Sequence, residues 1–193
     1  MTGIDSLSVG VSIVLYKTPV LAVEPLIAQM LDQGAAKVYL IDNSPLAFDT
    51  FGSWTPPERV TIIRTGLNLG YGTGHNIAIR DSIRRHRYHL VSNPDIQLGD
   101  KVIETLYEAM QSRPDVGLIM PEVVGPDGER HYLCKRAPSP LDYLPAWLVP
   151  KAWRTKRRAY LEMRDHNYDG ELNPQCLSGC FMFLRSRSEE HTS

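Results

Sequence analysis

No apolar run in this 193-residue chain approaches the roughly 20 residues needed to cross a bilayer, so the sequence predicts no membrane-spanning helix. Cysteine is scarce and odd in number: Cys134, Cys176 and Cys180, with no Cys-x-x-Cys pair. That argues against a disulfide framework and against structural zinc, which wants four closely spaced ligands, and the three are read as reduced, mostly buried thiols. Charge of one sign is also missing. The 21 Lys and Arg against 22 Asp and Glu leave a net charge of −1, too little to attract nucleic acid in bulk. Residues 1–8 are polar, with Asp5 where a secretory leader would be positive, which predicts a cytoplasmic protein. There is no internal repeat.

What is present suits an ordinary globular domain, with 42% hydrophobic and 22% charged residues. A β-branched run predicts a first strand over 9–16. Thr18-Pro19 reads as a helix start, with Thr as cap and Pro in the first turn, and Leu21, Leu26, Ile27, Met30 and Leu31 continue at helical spacing as far as Gly34. Further strands are predicted over 37–41 and 60–64, then a glycine-rich loop over 66–74 and a helix over 75–86. A strand from Tyr88, a helix over 101–112 and a strand over 116–120 follow, before the turn Gly125-Pro126-Asp127-Gly128. Strands alternating with helices predict an α/β protein with a mostly parallel sheet flanked by helices.

Three features fall on successive strand ends of that sheet, where ligands of open α/β folds collect. In Tyr88-His-Leu-Val-Ser-Asn-Pro-Asp-Ile96 the apolar run stops at Pro94, which cannot donate to a ladder, and Asp95 stands just beyond. A magnesium-type ion bound with substrate phosphates needs only one or two protein carboxylates. Asp42 follows the strand 38–41 as an acceptor suited to a ribose hydroxyl or a base N–H. Between them Leu67-Asn-Leu-Gly-Tyr-Gly-Thr-Gly-His-Asn76 packs glycines that admit a ligand to the backbone and asparagines that both donate and accept. This is no dinucleotide fingerprint: the glycines come after the third strand, at the wrong spacing, and there is no Gly-Lys-Ser/Thr ending of a P-loop. Each feature alone also reads as a turn.

Five segments in order resemble glycosyltransferase family 2, in particular its bacterial rhamnosyltransferase-like branch. They are Val11-Ser-Ile-Val-Leu-Tyr16, Val38-Tyr-Leu-Ile-Asp-Asn-Ser44, Asn68-x-Gly70-Tyr71-Gly72-x-Gly74-x-Asn76, Asn93-Pro94-Asp95 and Gly179-Cys-Phe-Met-Phe-Leu-Arg185. The resemblance runs from about Val9 to Arg185. It implies a GT-A (nucleotide-diphospho-sugar transferase) fold, an inverting transfer from a nucleoside-diphosphate sugar, and Mg²⁺ or Mn²⁺. By match, Tyr16, Asp42, Asn68, Gly70, Gly72, Asn76 and Asn93 are donor-binding and Asp95 is the metal ligand, with Asn93 where the family's Asp-x-Asp motif has its first aspartate. Gly179 and Cys180 lie on the sugar or acceptor side. The donor is dTDP-rhamnose or a UDP-sugar, and the acceptor a glycan or lipid-linked glycan of bacterial surface polysaccharide. A nucleotide-sugar-binding module, or an inactive fragment of the enzyme lacking the catalytic base, is the alternative, whereas a nucleotidyltransferase is disfavoured because no activation loop rich in Gly and Lys/Arg follows the first strand.

Two further expectations concern the rest of the chain. Over about 140–165, Trp147, Leu148, Val149, Trp153, Tyr160 and Leu161 alternate with Lys151, Arg154, Lys156, Arg157, Arg158 and Arg164. This helical insertion reads as a solvated basic face or as a peripheral contact with the inner-membrane surface. The family's general base lies downstream of Arg185 in an acidic motif that this sequence lacks, so the domain, 1–186, reads as incomplete at its C-terminus and its catalytic base as unknown. The final Arg-Ser-Glu-Glu-His-Thr-Ser, encodable as AGATCGGAAGAGCACACGTCT, matches a common sequencing adapter, so 187–193 are expected to be a non-native tail and Glu189, Glu190 and His191 are given no role.

Overall fold

The computed structural model describes residues 7–186 except 146, 148 and 167, so the expectations for 187–193 fall outside the described residues. The chain divides into two compact units. One comprises the chain up to Pro121 together with the segment from Gly179; the other is Glu122–Ser178.

The first unit is a mixed α/β layer structure. Its strands are β1 (Leu7–Leu15), β2 (Ala35–Pro45), β3 (Val60–Gly66), β4 (Tyr88–Ser92) and β5 (Leu118–Ile119), with helices α1 (Glu24–Asp32), α2 (Tyr71–Ser82) and α3 (Val102–Ser112) between them. In the second unit β6 (Cys134–Lys135) pairs antiparallel with β7 (Cys176–Leu177), and α4 spans Lys151–Leu161. The last strand, β8 (Phe181–Arg185), returns to the first unit's sheet, whose order is β3-β2-β1-β4-β8-β5. The strands β3-β2-β1-β4 run parallel, a Rossmann-like arrangement. Strand β8 runs against both its neighbours.

The faces of this sheet differ in chemistry. On one, Val9, Val11, Ile13 and Leu15 of β1 join Val38, Leu40, Leu90, Phe181 and Phe183 in an apolar core with Ile27 and Met30 of α1 and Ile103 and Met110 of α3. On the other, Tyr39, Ile41 and Ala78 form a small apolar cluster, and the remaining buried positions of β1, β4 and α2 include Ser12, His89, His75 and Ser82. The alternation along β1 builds both: Val9, Val11, Ile13 and Leu15 face one way, while Gly10, Ser12 and Val14 face the other.

Several boundaries differ from the sequence-based expectation. Thr18-Pro19 does not open a helix. Pro19 is extended, a 3-10 turn covers Val20–Ala22, and the Val20 N–H donates to the Thr50 carbonyl at 2.8 Å. The helix starts at Glu24, with Pro25 in the first turn where its missing N–H costs nothing. Strand β2 runs through Asp42-Asn-Ser-Pro45 instead of turning there. The predicted strand over 116–120 is only Leu118–Ile119.

Arg185 fastens the end of β8. Its guanidinium donates to the carbonyls of Val116 (2.9 Å), Met110 (2.5 Å) and Arg113 (2.8 Å) and to the Tyr88 hydroxyl (3.2 Å). Two of these carbonyls lie at the end of α3, whose last turn leaves carbonyls without helical partners. Arg185→Leu should therefore lower unfolding stability by about 2–4 kcal/mol in a denaturant titration, since hydrogen bonds to charged groups are the strong ones. A loss below ~0.5 kcal/mol would contradict this anchoring role.

Candidate functional site

The carboxyl ends of β1, β2, β3 and β4 lie on one side of the sheet. After β1, Lys17 adopts φ 50, a left-handed conformation that is costly for a residue with a Cβ. Its N–H donates to Ser44 Oγ at 2.8 Å, holding the bend against the end of β2. Tyr16 is exposed beside it, with Lys17 Nζ 5.5 Å from the ring centroid.

Asp42 is fully buried, opposite Leu15 in the β1–β2 ladder. It is thus not an open acceptor at the rim, because β2 carries on past it. Its Oδ1 accepts the Ser44 N–H at 2.9 Å. Its Oδ2 lies 3.4 Å from Arg64 Nε, an ion pair without hydrogen-bond alignment.

Asn43 connects β2 to the glycine segment: Nδ2 donates to the Gly70 carbonyl at 3.1 Å, and Oδ1 lies 3.1 Å from Thr65 Oγ1. Much of that segment is helix and not loop. Gly70, at φ 78, is the residue before α2, and Tyr71, Gly72 and Thr73 form the first turn, with no side-chain cap. The helix can start here because Gly74 lies against the sheet, where a Cβ would stand 2.8 Å from Val14 Cγ2 and 3.2 Å from Asn43 Nδ2. Asn68 is exposed and accepts the Gly70 N–H at 2.9 Å. Asn76 is exposed on α2, and its side chain makes no hydrogen bond among the described residues.

Strand β8 brings the remaining candidates together. Because it runs antiparallel to β4, its beginning meets the end of β4, and the Asn93 N–H donates to the Cys180 carbonyl at 2.9 Å. The Tyr71 hydroxyl donates to the Gly179 carbonyl. Burial foremost, with the Cys180 sulfur and the Asp95 carboxylate nearby, pushes the Tyr71 phenol up to about 12, so it remains a donor at neutral pH. Asp95 is exposed and has no hydrogen bond or ion pair among the described residues. Tyr71, Asn93, Asp95, Gly179 and Cys180 therefore form one neighbourhood, while Tyr16, Asp42, Asn68 and Gly70 belong to the adjoining ends of β1, β2 and β3.

The residues discriminate between kinds of metal site. Among the described residues no three His, Cys, Asp or Glu converge to hold an ion by themselves. An unpaired carboxylate such as Asp95 fits an ion whose other oxygens come from a bound diphosphate and water. A cleft of about 570 Å³ lies elsewhere, between the 3-10 turn and the loop after β2, lined by Pro19, Leu21, Glu24, Phe51 and Trp54; none of the candidate residues lines it.

Sequence reasoning leaves Tyr71, Asn43 and Thr65 out of the site. The signal for Tyr71 is the helical spacing of Gly74, His75, Ala78 and Ser82 after it, which the density of glycines obscures.

The fold is mixed α/β, with the carboxyl ends of four parallel strands along one edge, the place where open α/β sheets bind ligands. No family model matches the chain. Among known proteins it is similar to the low-salt glycan biosynthesis hexosyltransferase Agl10 of Haloferax volcanii, 31% identical over 98 residues, covering 49% of this chain and 31% of that protein. It is also similar to the N-acetylglucosaminyl-diphospho-decaprenol L-rhamnosyltransferase of Mycobacterium tuberculosis, 32% identical over 90 residues, covering 42% of this chain and 29% of that protein. Both relatives are glycosyltransferases by name, and the matched region spans under a third of the length of either.

Beneath Tyr71 lies a buried polar seam. Ser12 Oγ sits 2.7 Å from His75 Nδ1 and 2.8 Å from His89 Nε2, and the His75 ring meets the Tyr71 ring edge-on at 4.3 Å. His75 Nε2, His89 Nδ1 and Ser82 Oγ are buried without partners. Burial pulls His75 down to about 4 and, with the neighbouring His75 and His86, His89 down to about 3. The unfolded chain, with imidazoles near 6.5, thus binds protons that the native state refuses. Stability should be flat above about pH 7 and fall as pH drops from about 6.5 toward 4. In urea titrations between pH 7.5 and 5, above most carboxylate titration, the double variant H75Q/H89Q should show a shallower loss than the wild type. Equal slopes would exclude these histidines as its source.

Proposed function

We propose that this chain is the donor-binding portion of an inverting glycosyltransferase of family 2 type, with a GT-A fold. It would move a hexose of the rhamnose class from a nucleoside-diphosphate donor, dTDP-rhamnose or a UDP-sugar, to a glycan or lipid-linked acceptor in surface polysaccharide synthesis at the cytoplasmic face of the membrane. One observation carries the reading: an unpaired aspartate, Asp95, at the end of β4, bordered by Tyr71 and by the Gly179–Cys180 backbone. The names of the relatives add support.

On this reading Tyr16, Asn68, Gly70, Gly72 and Asn76 hold the nucleoside, with Asn93 and Asp95 toward the diphosphate and Gly179 and Cys180 toward the sugar and acceptor. Asp42 acts from behind. Its carboxylate fixes Ser44 and faces Arg64, so it shapes the base-binding wall. Asp95 would hold Mg²⁺ or Mn²⁺, whose Lewis acidity neutralises charge on the departing nucleoside diphosphate. In the transfer, the acceptor hydroxyl oxygen bonds to the anomeric carbon on the face opposite the leaving group. The bond from that carbon to the phosphate oxygen breaks, its electron pair leaving with the nucleoside diphosphate. The hydroxyl proton passes to a general base, for which we assign no residue.

Calorimetry with UDP and dTDP, with and without Mn²⁺, tests the donor site. Asp95→Asn should weaken metal-dependent nucleotide binding by roughly 10-fold or more while leaving the thermal midpoint unchanged. Nucleotide binding that ignores both the metal and this substitution would overturn the assignment of Asp95. Metal-dependent binding with no sugar transfer from a donor panel would favour a nucleotide-binding module.

A further inference from the structure

The second unit, taken by itself, presents a surface that the proposed donor site does not use. Helix α4 has no buried residue, although its pattern is amphipathic. Its large apolar side chains, Trp153 and Tyr160, are exposed, as are Tyr143 (76%), Leu144 and Trp147 (82%) just before it. Such a concentration of exposed aromatics within one short stretch is uncommon on a protein that meets only water.

Ion pairing fixes these elements in place without covering them. Arg157 grips Asp142 through Nε–Oδ1 at 2.6 Å and Nη2–Oδ2 at 2.8 Å, joining the 3-10 turn Pro140–Tyr143 to α4. That guanidinium, with the Ser139 hydrogen bonds, holds the Asp142 carboxyl far below its ordinary range. Arg136 lies 4.1 Å from the Tyr160 ring centroid and forms a two-pronged pair with Asp165, 2.8 Å on each prong. Arg158 and Arg164 share Glu162. Lys151, Arg154 and Lys156, by contrast, are exposed and have no ion pair among the described residues. At roughly 100° per residue, Lys151 and Arg154 fall on one side of the helix and Lys156 falls about 60° from Trp153 on the other, so the cations flank the aromatic side chain.

Exposed tryptophans beside uncompensated lysine and arginine are what an anionic bilayer surface recognises: indoles settle at the headgroup level while the cations meet lipid phosphates. An acidic protein partner would satisfy the cations, but it gives no reason for two exposed tryptophans next to them. We infer that Tyr143, Leu144, Trp147 and helix α4 form a docking surface for anionic phospholipid membranes, with Lys151, Arg154 and Lys156 as its electrostatic contacts and Trp147 and Trp153 as its interfacial anchors. This inference stands on the second unit alone and is independent of the donor-site reading.

Vesicle flotation with the full chain tests it, using phosphatidylcholine liposomes with and without phosphatidylglycerol. The wild type should float with the anionic liposomes in low salt, be released by high salt and ignore the neutral ones. At about 1 kcal/mol per surface cation, K151A/R154A/K156A should cost on the order of a hundredfold in partitioning. W147A/W153A should reduce binding and abolish the blue shift of tryptophan emission that anionic liposomes induce. Circular dichroism and thermal melts of both variants should match the wild type, these side chains being exposed. No flotation with anionic liposomes, equal flotation of wild type and the triple alanine variant, or liposome-independent self-association removed by W147A/W153A would each overturn the inference.

Discussion

The arrangement of the rim depends on the direction of one strand. Had β8 joined the sheet parallel to β4, its first residues would lie at the opposite end, far from Asn93 and Asp95. Running antiparallel, it delivers Gly179 and Cys180 to the carboxyl edge, where a single backbone hydrogen bond, Asn93 N–H to the Cys180 carbonyl, joins them to the end of β4. Register matters as much as direction. A slip of one residue would turn Phe181 and Phe183 out of the apolar core, and Arg185 resists that slip by holding three carbonyls at once.

The other wall is built on different terms. Between β2, β3 and the start of α2 the stabilising contacts are polar: Asp42 to Ser44, Asn43 to Gly70, Asn68 to Gly70, Ser44 to Lys17. Burying these groups costs desolvation that hydrogen bonds only offset, but the result is a fixed set of backbone positions at a surface where an apolar core could not reach. The apolar face of the sheet supplies stability, and the polar face and rim supply geometry. The buried imidazoles belong to that second set.

How much of this was legible in the residues depends on how local each feature is. Asp95 at a strand end follows from Pro94 and the apolar run before it, and the alternation of strand and helix follows from periodicity. The end of β2 does not, because Asp42-Asn-Ser-Pro45 has turn composition, and pairing with β1 and β3 together with side-chain bonds to Thr65 and Gly70, all distant in sequence, keeps it extended. The start of α2 is disguised because glycines that usually mark loops serve here to let a helix press against Val14. The approach of Tyr71 to Gly179 spans 108 positions of sequence. A buried run such as Phe-Met-Phe-Leu carries no indication of which way its strand will run.

Ser12 has a consequence of its own. A hydroxyl has one proton to give, and here it stands between two neutral imidazoles. When it donates to His75 Nδ1 it accepts from His89 Nε2–H; when it donates to His89 instead, keeping both hydrogen bonds requires each ring to take its other tautomer. The far nitrogens, His75 Nε2 and His89 Nδ1, accordingly carry opposite characters in either arrangement, one bearing hydrogen and the other bare. The two rings thus behave as one correlated pair, a single bit of proton order written under Tyr71.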